Sequence, residues 1–320
     1  MHAGLRITAF AAALAATFGT AYGVGQGIDP VVKDPAPARH ESHGEASPEA
    51  EGAGGRGAQE TAAAGGLQIS EGGYTLDLRT PSVTAGKRSD LSFVIRDSGG
   101  RAVTAFQREH DKELHLIVAS HDLATYRHLH PARAADGTWS TPVDLPRAGG
   151  YRVFADFTPA KQDAGNLVLG TDLAASGSYD PQKLPAPNTT AKIHGYEVRL
   201  DGGLHPGKES ELKLKVSRDG RPVTNLQPYL GAYGHLVALR SGDLAYLHVH
   251  PGGEPGDGRT RPGPQISFAA TAPSSGTYRL YLDFKHEGQV HTAAFTVRAG
   301  AGATTAEAPA HDDGTEGHGH

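Results

Sequence analysis

Residues 115–131, HLIVASHDLATYRHLHP, recur nearly intact at residues 235–251, HLVALRSGDLAYLHVHP. Each copy runs from a His through an apolar stretch and a polar break around Asp-Leu-Ala to a His-x-His-Pro. In both, thirteen positions separate the first His from the second. Short runs rich in branched and aromatic residues, broken by Asp, Ser and Gly, predict a β-hairpin. A turn centred on residues 121–124 sets Ile117 opposite His128 and His115 opposite His130. A turn at 241–244 likewise sets Val237 opposite His248 and His235 opposite His250. Side chains at i and i+2 of a strand share a face, and opposed residues lie about 4.5–5.5 Å apart at Cβ. Three imidazoles are therefore expected on one face of each hairpin.

The sequence around the hairpins repeats as well. HGYEVRL at 194–200 echoes GGYTLDL at 72–78, and ELKLKVSRDGRPVT at 211–224 echoes DLSFVIRDSGGRAVT at 90–104. TYRLYLDF at 277–284 echoes GYRVFADF at 150–157. A period of roughly a hundred residues means tandem domains and not a solenoid. Short strands with turn signals every eight to twelve residues or so, and no helical period, predict antiparallel sandwiches. The expected fold is all-β: two tandem immunoglobulin-like β-sandwiches at 67–175 and 193–299, joined by a Pro/Ser/Asn linker at 176–192. Tyr151 and Tyr278, with Phe157 and Phe284, are expected to pack.

Three further segments lie outside the repeats. Residues 1–28 carry one Arg and then an uncharged run, as in an export signal or a membrane anchor. Residues 29–66 are Pro-, Ala-, Gly- and Glu-rich without a hydrophobic period and are expected to be a disordered spacer. Residues 300–320 read as a low-complexity tail ending in His and Asp. The expected location is extracytoplasmic, secreted or tethered to the membrane by the N-terminal segment alone.

Composition narrows the chemistry. The 320 residues contain no Cys, which excludes disulfides, thiolate sites and cysteine catalysis, and a single Met, which excludes thioether copper sites. The net charge of −5, with no basic stripe, argues against a nucleic-acid partner. Eighteen His residues are the excess that calls for a use. His115, His128 and His130, and again His235, His248 and His250, form candidate metal sites, since Zn(II) and Cu(II) accept imidazole at about 2 Å. Asp156 and Asp283, matched in the repeats, would serve as a fourth ligand or orient an imidazole. His286 and His291 would enrich the second site. Ser120-His121-Asp122 is no triad, because neighbouring strand or turn residues point apart and the second copy lacks the His. No nucleophile with its base and no phosphate loop appears, so the chain is read as a non-enzyme.

The succession Asp-Gly-Arg-Pro-Val-Thr, Tyr-Gly-His (219–235), His-Val-His-Pro (248–251) and Tyr-Arg-Leu-Tyr-Leu-Asp-Phe (278–284) resembles the YtkA-like and CopC-like immunoglobulin-fold domains. It is most similar to their duplicated, exported heavy-metal-binding relatives, over about residues 67–297. The resemblance implies a sandwich outside the cytoplasmic membrane and a link to copper or other heavy metals. The chain departs from the CopC type in showing no His at a mature N-terminus, and it lacks the Met-rich element of some relatives. The expected function is binding, buffering or delivery of Cu(II), or second Zn(II), with a membrane metal transporter as candidate partner. The alternative is a cell-surface interaction module whose His residues are core or pH-responsive.

Overall fold

The computed structural model describes residues 64–300 except Asp163 and His248. The expected signal or anchor, most of the spacer, and the tail beyond residue 300 lie outside the described residues. The first sandwich comprises β1 (Ser70–Glu71), β2 (Tyr74–Leu78), β3 (Ser82–Thr84), β4 (Arg88–Arg96), β5 (His115–Ser120), β6 (Tyr126–Leu129), β7 (Ala132–Arg133), β8 (Thr138–Asp144), β9 (Gly149–Phe157) and β10 (Leu167–Ser176). Its two sheets run β1-β2-β4-β8-β7 and β3-β10-β9-β5-β6.

The second sandwich repeats the plan with β11 (Thr190–Ile193), β12 (Tyr196–Asp201), β13 (Glu209–Arg218), β14 (Arg221–Pro222), β15 (His235–Arg240), β16 (Tyr246–Leu247), β17 (Val249–Pro251), β18 (Gln265–Thr271), β19 (Gly276–His286) and β20 (Gln289–Ala299). One sheet runs β11-β12-β13-β18-β17, with β14 on β13, and the other runs β16-β15-β19-β20. Tyr151 and Tyr278 are fully buried, and each donates its hydroxyl to a carbonyl four residues upstream, Arg147 and Ser274, at 2.8 Å. Such tyrosine corners suit an immunoglobulin-like sandwich.

Alternation along β5 explains how the two sandwiches meet. Leu116 and Val118 point into the first core beside Phe93, Trp139 and Val153. Ile117 and Ala119, one position on, must point the other way, and they too are completely buried. They join Leu123, Tyr126, Phe154 and Val168 in a third core, shared with Val237, Leu239, Leu244, Tyr246 and Tyr281 of the second sandwich. The β9-β5 and β15-β19 sheets thus pack face to face. Tyr126 stacks on Tyr281 at 4.1 Å, 6° from parallel, and the Tyr281 hydroxyl donates to the Leu123 carbonyl at 2.7 Å. Each large side chain so buried contributes about 1.5–3 kcal/mol, so the sandwiches form one body and not two beads on a linker.

Residues 64–66, expected to belong to the spacer, are already folded onto this seam. Gly65 exchanges both backbone hydrogen bonds with Tyr246, and the Gly66 amide donates to the Val168 carbonyl at 2.7 Å. A Cβ on Gly170 would lie 1.9 Å from the Gly66 carbonyl oxygen, so only glycine lets the segment pass. Gly170→Ala is expected to cost about 1–3 kcal/mol through overpacking. Gly165→Ala, with open space around it, should stay within about 0.5 kcal/mol. Urea unfolding midpoints of the two variants provide the check.

Candidate metal centre

The β5–β6 hairpin has the register read from its sequence, with Ile117 opposite His128 and Leu116 opposite Leu129. His128 therefore shares the outward face of Ile117 and looks toward the second sandwich. His115 begins β5, and His130 follows the end of β6 where the chain crosses to the other sheet. One ligand atom from each of His115, His128 and His130 lies within 4.8 Å of the others. Ring centroids are 4.8–5.3 Å apart.

The hydrogen-bond partners of His115 and His128 leave this pair one proton short. His115 Nε2 lies 3.2 Å from the Glu109 carbonyl oxygen, which only accepts. His128 Nδ1 lies 3.0 Å from an oxygen of Asp283, an acceptor when ionised. Between the rings, His115 Nδ1 faces His128 Nε2 at 3.0 Å. Two neutral imidazoles carry two N–H groups, and three contacts need filling. If the outer contacts take the protons, two lone pairs confront each other and a cation is required between them. The separation suits one shared ion, for two nitrogens at about 2.0–2.1 Å subtend roughly 95° across 3.0 Å. His130 Nε2, buried and without a hydrogen-bond partner, offers a third lone pair. Donation of the far ring N–H to a backbone carbonyl and to a carboxylate is the usual second shell of metal-bound histidine.

A proton on His115 fills the gap poorly. Burial, and next the neighbouring His128, holds the His115 imidazole down to about 4. Burial, then His128 and His115, takes His130 to about 3. His235 falls to about 4, again chiefly by burial and then His128. These rings stay neutral in the folded protein where free histidine would protonate, so between about pH 6.5 and 4 the unfolded chain binds more protons. Metal-free protein should lose stability as pH falls through that window, by up to about 1.4 kcal/mol per pH unit for each ring, less where water screens them. Thermal melts at pH 7 and pH 5 check the sign, and an unchanged or higher midpoint at pH 5 would contradict it.

The second sandwich supplies the surroundings. Asp283, 2 % exposed, sits opposite His235 in the β15–β19 register. Its carboxylate does not serve its own repeat's histidines. It accepts from His128 at 3.0 Å, from Tyr126 at 3.3 Å and from Thr292 at 2.5 Å. The reciprocal Asp156, opposite His115, accepts from Asn166 at 2.7 Å and from Tyr246 of the second sandwich at 3.2 Å. His235 directs Nε2 at the carbonyls of Tyr229 and Leu230, at 2.8 and 3.1 Å, with its ring 6.0 Å from His128. A cleft of about 120 Å³ opens here, lined by Glu109, His110, His115, His128, Asp156, His235 and His250.

Several expectations are corrected. Among the described residues one histidine cluster forms and not two, and the sheets that carry the two hairpins pack together. His250 is not opposite His235. In the second copy β16 stops at Leu247, and β17 pairs His250 with Ala269 on the other sheet, leaving His250 at the cleft wall. His286 and His291 do not join the centre either. Three positions after Asp283, His286 faces the opposite side of β19, where it bonds Tyr196 at 2.7 Å and Asn225 at 3.0 Å. His291, opposite Phe284, shares that inner face and meets His194. The expected ligand His248 lies outside the described residues.

His110 went unread in the sequence. It lies on a loop whose residues His110 and Asp111 take left-handed φ of 50° and 63°, and its ring is 5.2 Å from His235 and 6.2 Å from His115. The cross-repeat tyrosines Tyr126 and Tyr246 were missed too. A signal for them existed: Leu116–Ala119 and Leu236–Leu239 are unbroken apolar runs, as in strands covered on both faces.

Among solved structures, the chain is similar to the Escherichia coli adhesin FdeC, at 16 % identity and a TM-score of 0.22 over 71 % of this chain and 64 % of that one. It is similar also to Yersinia pseudotuberculosis InvD (12 %, 0.22, 74 % and 61 %). A third is invasin, a bacterial integrin-binding protein (12 %, 0.21, 72 % and 41 %). The chain thus spans less than two thirds of each. No curated protein matches it. A family model described as a domain of unknown function, DUF8832, matches residues 68–165 and 191–301, one stretch in each sandwich. The chain belongs to that family.

Proposed function

We propose that the protein binds a divalent metal ion at the seam of its two sandwiches, outside the cytoplasm and without catalysis. His115 Nδ1, His128 Nε2 and His130 Nε2 are the ligands. The supporting observation is the missing proton: three contacts along Glu109–His115–His128–Asp283, and two N–H groups to fill them. Neutral imidazoles suit Cu(II) and Zn(II), with Cu(II) favoured by the general affinity order. The resemblance to YtkA-like and CopC-like domains points the same way and motivates a role in buffering or delivery to a membrane transporter.

A second reading is an immunoglobulin-like cell-surface interaction module in which the histidines merely line an inter-sandwich joint. The shared apolar core favours it, since that core holds the joint without any ion. Calorimetric titration with Cu(II) and Zn(II) separates the two. The full chain is compared with a variant carrying His115→Ala, His128→Ala and His130→Ala, so that binding by tail histidines cancels. One equivalent of sub-micromolar binding lost in the variant is the expected result. Identical isotherms would discard the metal reading in favour of the module.

A further inference from the structure

We infer that metal binding and docking of the two sandwiches are a single coupled equilibrium, with the second repeat controlling the centre held by the first. This rests on the metal reading above. All three ligands belong to the first repeat, but the carboxylate that orients His128 is Asp283 of the second. That carboxylate is held in turn by Thr292 of its own sheet and by Tyr126 of the other repeat. Tyr126 stacks against Tyr281, two positions before Asp283 on the same face of β19, and the Tyr281 hydroxyl bonds the Leu123 carbonyl in the hairpin turn.

The centre is closed from the second repeat as well. The Tyr229 ring lies 6.1 Å from His130, and His235 lies 6.2 Å from His115. If the sheets part, His128 loses its acceptor, His130 loses its cover, and the first-repeat hairpin alone must hold the ion. An ion that binds the docked form better must stabilise docking by the same factor, by linkage. Asp283 is thus a positioning residue, and the shared core acts as a latch on the site.

The test uses the full chain. Tyr281→Ala alters none of the three ligands and empties part of the latch; it should weaken Zn(II) binding about 5–150-fold, the ordinary range of such coupling. Asp283→Asn, which keeps the shape but not the charge, should weaken it about 10–100-fold. Hydrogen exchange of the wild type with and without Zn(II) supplies a readout independent of affinity. Saturation should slow exchange at the amides of Gly65 and Tyr246, which bond each other across the seam. If Tyr281→Ala does not fold, Tyr281→Phe, which loses only the bond to Leu123, takes its place with a smaller loss expected. Wild-type binding with unaltered affinity in the latch variants and unchanged exchange would overturn the coupling and leave the metal site standing. No binding by the wild type would overturn both.

Discussion

In His128→Ala, Zn(II) or Cu(II) affinity is expected to fall at least about 100-fold, more than the 10–100-fold that follows loss of an outer-shell partner. His128 lies at hydrogen-bond distance from another ligand and from the second sandwich at once, through Nε2 to His115 and through Nδ1 to Asp283. The same change leaves the nearly inaccessible Asp283 carboxylate with hydroxyl donors only. A buried polar group that loses a partner costs about 1–3 kcal/mol, so the metal-free variant should also melt below the wild type. His286→Asn is the control for the metal, because His286 faces the inner core of the second sandwich. Calorimetry and a thermal melt on each variant decide the matter. Unchanged affinity in His128→Ala would remove it from the ligand set.

Phe154→Ala should destabilise the protein by about 3–5 kcal/mol, the usual loss on truncating a fully buried aromatic. In an isolated sandwich this position would be nearly neutral. Val153 and Ala155 point into the first core, so Phe154 points away from it. It is nonetheless completely buried, because Tyr246 of the second sandwich packs on it with ring centroids 5.6 Å apart. Val290→Ala, at a side chain 43 % exposed, should shift stability by no more than about 0.5 kcal/mol. Denaturant unfolding measures both. A near-neutral Phe154→Ala would mean that the sandwiches do not dock in solution.

The residues that were legible and those that were not divide along a physical line. Duplication, strand type and the Ile117–His128 register follow from patterns a few residues long: alternation of side chains, turn chemistry and branched residues. Parity along the strand alone could likewise have separated His286 from Asp283. His250 was harder, because a strand can leave one sheet for the other wherever its hydrogen bonds are met by the new neighbour, and β17 does so two residues after β16 ends.

The pairing of Asp283 with His128 joins residues 155 positions apart, and no local period carries such information. By itself the sequence determined two immunoglobulin-like sandwiches, each with its histidine hairpin, and brought His115, His128 and His130 to one edge. Only the tertiary structure decided that the two hairpin-bearing sheets face each other and that the carboxylate of one repeat serves the histidine of the other. The reason is that docking is driven by the summed burial of outward apolar side chains such as Ile117, Phe154, Leu239 and Tyr281. That term is non-directional along the chain, and it selects a partner surface by shape once both sheets exist.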